Sequence, residues 1–72
     1  MNKNLLASVL AERGDTQYDL AQLLGISLSR TNAKINETGG AQFNQNEITL
    51  IKNHYKLNAK MVDAIFFAPK VS

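Results

Sequence analysis

The chain has 72 residues, enough for one domain and too few for two, so one small core must carry any function. It contains no cysteine, which excludes disulfide bonds and fits a reducing compartment such as the cytoplasm. Its formal net charge of +2 is compatible with a nucleic-acid partner but is too small to identify one. No apolar stretch approaches the roughly 20 residues needed to cross a bilayer, so we expect a soluble protein with no membrane partner.

Two short helices are predicted first. Apolar residues between positions 5 and 10 have helical spacing, and Gly14 provides a stop, which predicts a helix from about Asn4 to Arg13. Thr16 can cap a second helix, since acidic Asp19 follows three residues later, and Gly25 ends this helix. The pattern therefore predicts two helices separated by a tight turn.

A third helix is predicted from a cap at Ser27 to about Ile35, and its outer side is unusually polar. Taken alone, such a helix is most simply a solvated surface helix. Its position directly after Gly25 favours another interpretation, because a helix pinned by its neighbour can present polar side chains to a partner.

The second half of the chain is predicted to form a loop and two further helices. Residues 36–40 are a loop because adjacent glycines disfavour helix and strand, and Phe43 ends it as an apolar plug. Asn44 and Glu47 have the spacing of a cap and its reciprocal carboxylate, and Asn58 can cap a fifth helix that ends before Pro69. We expect one domain over residues 1–72, with a flexible tail from about 68 to 72.

Residues 16–36 have the plan of a helix-turn-helix unit, in which a glycine turn joins one helix to a capped second helix. Ala21 is small where two helices must approach closely, Gly25 accepts backbone angles that other residues resist, and Ile26 can fill the angle between the helices. In such units the second helix reaches base edges in the major groove, while the preceding helix and flanking loops hold phosphates.

A set of short motifs extends this pattern from Leu5 to Phe67: Gly25-Ile26-Ser27, Lys34-Ile35-Asn36, Phe43, Glu47-Ile48, Ile51, Leu57 and Ile65-Phe66-Phe67. In their joint spacing the chain resembles the Cro and repressor family of helix-turn-helix proteins, which implies an all-α, compact five-helix domain of the lambda-repressor type. It is most similar in kind to the Cro-like or modulator-of-repression proteins of temperate phages of Gram-positive bacteria. Such proteins oppose a cognate repressor at the lysis–lysogeny switch by occupying operator DNA or by binding the repressor itself.

The resemblance implies a transcriptional regulator in the cytoplasm of a bacterial host, and it implies which side chains face DNA. The matching positions are Gln17, Leu28, Ser29, Arg30, Asn32, Ala33 and Lys34. Arg30 and Asn32 can read guanine or adenine edges, whereas Leu28 and Ala33 offer apolar contact to a thymine methyl. Lys34 is expected nearer the DNA backbone. Thr31 departs from the family, which usually buries Leu or Ile at this position.

Two alternatives remain open because the predicted motif is not basic. Its acidic residues outnumber Arg30 and Lys34, so we expect weak DNA binding by a monomer. One alternative is an anti-repressor that contacts a related repressor through acidic residues around the motif, namely Glu12, Asp15, Asp19 and Glu37. The other is a sequence-specific repressor acting alone as a homodimer. Ile65, Phe66 and Phe67 are candidates for its seam, although Ile65 and Phe66 are more simply core residues at this spacing.

An enzyme is the weakest interpretation of the sequence. His54 is the only histidine, and the scattered carboxylates do not form a metal-ligand pattern. Gly39-Gly40 lacks the lysine and Ser/Thr of a phosphate-binding loop. We therefore expect no catalytic residues, no metal ligands and no cofactor, and a function that depends on binding.

Overall fold

The computed structural model describes residues 1–67 of the chain. Within this part there are five helices and no strand, which confirms the predicted all-α fold. A 3₁₀ turn, Thr38–Gly40, follows the third helix. The predicted flexible tail at 68–72 lies outside the described residues. The helices are α1 (Lys3–Glu12), α2 (Gln17–Leu24), α3 (Leu28–Asn36), α4 (Gln45–His54) and α5 (Ala59–Phe66).

Each helix begins at a side-chain cap, which gives a partner to a backbone N–H that the helix itself cannot satisfy. The four predicted caps are confirmed at Thr16, Ser27, Asn44 and Asn58. The first helix has a cap that the sequence analysis did not assign. Asn2 accepts a hydrogen bond from the Leu5 N–H at 3.1 Å, so α1 begins at Lys3, one residue earlier than predicted.

The core is built from one apolar side of each helix. Four helices each contribute one fully buried aliphatic side chain, and these are Leu6, Leu20, Ile51 and Ile65. Phe43, predicted as a plug between α3 and α4, is buried against the same cluster. The radius of gyration is 11.3 Å, close to the value of about 11 Å expected for a compact chain of this length.

Polar contacts fasten the start and the end of the fold to each other. The Asn2 N–H donates to the Ile65 carbonyl at 2.7 Å, which ties the beginning of α1 to α5. Arg13 Nη2 donates to the Tyr55 carbonyl at 2.8 Å, and the Tyr55 hydroxyl donates to Asp15 at 2.7 Å. The turn between α1 and α2 is therefore fixed against the end of α4.

The helices are short, at most ten residues each. In the described part of the chain, no helix has the length and apolar character that crossing a membrane requires. The segment predicted as a loop after α3 contains the 3₁₀ turn Thr38–Gly40. Glu37, which precedes this turn, is in the left-handed conformation, with φ of 55°.

Candidate functional site

The turn between α2 and α3 sets the direction of the candidate recognition helix. Gly25 has a left-handed φ of 70°, a conformation that glycine adopts without steric cost. The Ile26 N–H then donates back to the Ala21 carbonyl at 3.2 Å, which closes the end of α2. Ser27 Oγ accepts from the Arg30 N–H at 3.1 Å and starts α3. Three residues thus end one helix and begin the next.

One side of α3 is buried in the protein. Thr31 is fully buried, and its hydroxyl donates to the Ser27 carbonyl at 3.0 Å. Ile35, one turn later, is 7% exposed and belongs to the apolar core. Thr31 therefore lies inside the molecule, and its hydroxyl is satisfied by its own helix.

Other residues of α3 are accessible to solvent. Leu28, Ser29 and Arg30 in its first turn are exposed, and Asn32 and Ala33 are half-buried. We call these five residues the α3 surface. Gln17, predicted to contact DNA from the first turn of α2, is also exposed. Four of the seven predicted DNA-contacting residues are thus exposed on α2 and α3, and Asn32 and Ala33 are partly accessible.

Lys34, the seventh, is placed differently. Its ammonium lies 2.7 and 2.8 Å from the two carboxylate oxygens of Glu47, and only 13% of its side chain is exposed. The family resemblance implied a position near the DNA backbone for Lys34, whereas in the structure Lys34 lies in an ion pair within the protein. Thirteen residues separate the two partners, and Glu47 had been identified only as a helix-capping residue, so no local signal predicted this pair.

The four acids predicted to meet a protein partner do not form one common arrangement. Asp15 accepts a hydrogen bond from the Tyr55 hydroxyl, and Asp19 accepts one from the Thr16 N–H at 2.8 Å. Glu37 lies 3.1 Å from the amino group of Met1. Three of the four are thus engaged within the protein, while Glu12 is exposed on the last turn of α1.

Tyr55 has a pKa well above its ordinary value. Its side chain is buried, which disfavours the charged phenolate and raises its pKa, and the hydrogen bond to Asp15 raises the pKa further. The hydroxyl therefore stays protonated and keeps its donor role toward Asp15 at neutral pH. This makes Tyr55 a structural link between α4 and the turn before α2.

Two large apolar side chains are exposed beside the polar residues of α2 and α3. Tyr18 is 58% exposed and Leu28 is 42% exposed, and they belong to the first turns of the two helices. An aromatic and an aliphatic side chain in such positions can contact a thymine methyl or an apolar patch on a protein.

The residues considered for a dimer seam separate into two groups. Ile65 is fully buried in the core, as its spacing predicted. Phe66 packs edge-on against Phe43, with 6.0 Å between the ring centres. Phe67 is 56% exposed, at the edge of an open groove of about 260 Å³ that Phe43, Phe66 and Ile48 also line. Phe67 is the most accessible of the three.

Among residues 1–67, no three His, Asp or Glu side chains are arranged to hold a metal ion. His54 is exposed and packs edge-on against Tyr55, with 4.8 Å between the rings. Comparisons with protein-family models, with curated proteins and with solved structures find no match to this chain.

Proposed function

We propose that this chain is a small transcriptional regulator that binds double-stranded DNA through the α3 surface, of the kind that acts at a phage lysis–lysogeny switch. The observation that carries the proposal is the two-sided character of α3. Thr31 and Ile35 hold one side inside the molecule, while Leu28, Ser29 and Arg30 are exposed in the first turn. A helix fixed in this way can enter the major groove with its N-terminal side chains toward the base edges.

The chemistry of the α3 surface fits base recognition. Arg30 can donate two hydrogen bonds to a guanine, and Asn32 can pair with an adenine edge. Leu28 and Ala33 supply apolar contact of the type a thymine methyl requires. Gln17 is the first residue of α2, and in this proposal it donates to a phosphate and fixes the register.

The proposal is tested by selecting preferred sites from a library of random 20-base-pair duplexes and titrating a selected and a random duplex. We expect Arg30→Ala to lose about 1–3 kcal/mol of preference for the selected duplex. Lys60→Ala, which removes an exposed cation from α5, is the matched control and should keep the preference. Equal affinity of the unaltered protein for both duplexes would exclude sequence-specific binding.

A second candidate function is an anti-repressor that binds a related phage repressor through the α3 surface together with Tyr18 of α2. The exposed Tyr18 and Leu28 favour it, because aromatic and apolar side chains are enriched at protein interfaces. The pairing of Lys34 with Glu47 also favours the anti-repressor. Arg30 and Lys34 are the two cations of α2 and α3, and Lys34 is engaged with Glu47. Fewer available cations mean weaker attraction to DNA.

The two candidates are separated by a mobility-shift titration of a repressor on its operator, with and without this chain. A new shifted band formed by this chain alone supports direct DNA binding. Loss of the repressor's band without a new one supports the anti-repressor, and Tyr18→Ser should then restore the repressor's band. Both candidates act by binding, with no catalytic step or cofactor, in the cytoplasm of a bacterial host.

A homodimer through Phe67 is part of the proposal, and sedimentation at micromolar concentration tests it.

A further inference from the structure

We propose that Glu47 is a positioning residue for the α3 surface, acting through Lys34, and that Lys34 makes no contact with DNA phosphates. The inference rests on the proposed function, because it assigns a residue outside α2 and α3 to the control of that same site. It reverses the role that the sequence pattern gave to Lys34.

A single carboxylate joins two structural elements. Glu47 lies in the first turn of α4, where its Oε1 accepts the Asn44 N–H at 2.9 Å. The same carboxylate accepts the Lys34 ammonium through both oxygens, at 2.7 and 2.8 Å. Because Lys34 belongs to the last turn of α3, this group fixes the end of α3 to the beginning of α4.

Burial makes the pair difficult to exchange for a phosphate contact. Glu47 is 6% exposed, so its charge is largely removed from water. If Lys34 turned toward DNA, it would leave a buried carboxylate without its counter-charge, which is strongly unfavourable. A pair at this depth is also screened little by salt. The ammonium of Lys34 therefore stabilises the folded protein and is not available to a DNA phosphate.

The pair is a buried contact that holds the end of α3, beside the hydrogen bond from Lys3 to Asn36 at 3.4 Å and the ion pair of Met1 with Glu37 at 3.1 Å. The beginning of α3 is fixed by the Gly25 turn and the Ser27 cap, and its inner side buries only Thr31 and Ile35. Lys34 follows Arg30 by one helical turn, so the two residues lie on neighbouring parts of the helix surface. Loss of the pair would let α3 shift and would displace Arg30 from a base edge.

The test compares preference for the selected duplex over the random duplex in four proteins: the unaltered chain, Glu47→Gln, Lys34→Met and the control Asp63→Asn. Asp63 is an exposed acid of α5, so its substitution removes the same charge from a residue outside the pair. Charge alone predicts that Glu47→Gln, like Asp63→Asn, binds every duplex more tightly. Positioning predicts that Glu47→Gln and Lys34→Met lose preference at least about tenfold, equivalent to ~1.4 kcal/mol. Retained preference in Glu47→Gln overturns the proposal.

The salt dependence tests the role of Lys34 directly. A phosphate contact contributes about 0.9 to the slope of log affinity against log salt concentration. We expect Lys34→Met to leave this slope unchanged on the random duplex and Lys34→Arg to restore the preference. A slope reduced by about one unit in Lys34→Met would assign Lys34 to phosphate binding and overturn the proposal.

Amide hydrogen exchange without DNA separates positioning from general instability. Glu47→Gln should accelerate exchange at residues 31–36 at least about tenfold more than in α1. Equal acceleration in all helices would overturn the proposal.

If the variants do not fold, the NMR signal of Lys34 Nζ in the unaltered protein tests whether Lys34 contacts DNA. This signal should not move when duplex is added, and a shift would assign Lys34 to DNA binding and overturn the proposal. If the unaltered protein prefers no duplex, the proposed DNA function fails, while the exchange result still decides the role of Glu47.

Discussion

α3 and α4 have nearly equal lengths, nine and ten residues, but they are held in the protein by different forces. α4 buries Ile48 and Ile51 in the core, and Tyr55 continues this apolar side at its end. α3 buries only Thr31 and Ile35, and it gains further support from the turn before it and the ion pair at its end. The two helices therefore differ in how they contribute to the fold. α4 is held by its own buried side chains, whereas α3 depends more on the elements next to it, and its outer side chains are not needed for packing.

The largest effect on stability is expected from Ile51→Ala in α4. Ile51 is fully buried, and truncation would leave a cavity in the core that costs about 2–5 kcal/mol of unfolding free energy. Leu50, its neighbour, is 43% exposed, so Leu50→Ala is the matched control with an expected cost within about 0.5 kcal/mol. Urea unfolding measures both. Similar losses in the two variants would contradict the scaffold role of the buried side of α4.

A smaller loss is expected from Tyr55→Phe, which keeps the ring but removes the hydroxyl. The hydroxyl donates to Asp15 at 2.7 Å, and a hydrogen bond to a charged group contributes about 1.5–3 kcal/mol. Tyr18→Phe is the control, because Tyr18 is mostly exposed. Thermal unfolding at neutral pH compares the two variants. If Tyr55→Phe were as stable as Tyr18→Phe, the link between α4 and the turn before α2 would carry no stability.

The same tyrosine predicts a change with alkaline pH. Burial raises the Tyr55 pKa above its ordinary value of 10.0, and the hydrogen bond to Asp15 adds to this shift. Above about pH 10 the unfolded chain releases the proton that the folded chain retains, so stability falls as pH rises. Below that pH the contribution of this proton is fully present. Melts at pH 8 and pH 11 should show a smaller alkaline loss in Tyr55→Phe than in Tyr18→Phe. Equal losses would contradict the assignment.

Gly25→Ala acts on the turn that supports α3 and is expected to cost about 1–2 kcal/mol, because a left-handed conformation is unfavourable for an L-residue with a side chain. No atom lies within 4 Å of the added Cβ, so the cost comes from the backbone alone. Gly25→Asn should cost less, since asparagine tolerates this conformation better. Chemical denaturation of both variants provides the measurement. If Gly25→Ala and Gly25→Asn lost the same unfolding free energy, backbone strain would not explain the loss.

The parts of the fold that could be predicted from the sequence depend on short-range patterns. The cap at Thr16, its partner Asp19 and the stop at Gly25 lie within ten residues, and each acts through the local backbone. The same holds for Asn44 and Glu47. Such signals fix where helices begin and end, and they also indicated correctly which side of α4 is buried.

The parts that could not be predicted depend on residues distant in sequence or on unusual backbone angles. The pair of Lys34 and Glu47 exists only after α3 and α4 have packed together. Glu37 and Lys56 both adopt a left-handed φ of 55°. A glycine at either position would have predicted this conformation, whereas glutamate and lysine do not. In the candidate site, the sequence pattern predicted a polar outer side of α3, and Ser29 and Arg30 are exposed there, whereas the placement of Lys34 required the tertiary structure.

The smallest effect on stability is expected from Arg30→Ala, within about 0.5 kcal/mol, because the side chain is exposed on the outer side of α3. The Arg30 backbone N–H still donates to Ser27 after the substitution, so the start of the helix is kept. Ile35→Ala, on the inner side of the same helix, should cost at least about 2 kcal/mol and serves as the contrast. Thermal unfolding would measure both. A loss above about 1 kcal/mol in Arg30→Ala would mean that the outer side of α3 also stabilises the fold, and its side chains would then be less free to serve a partner.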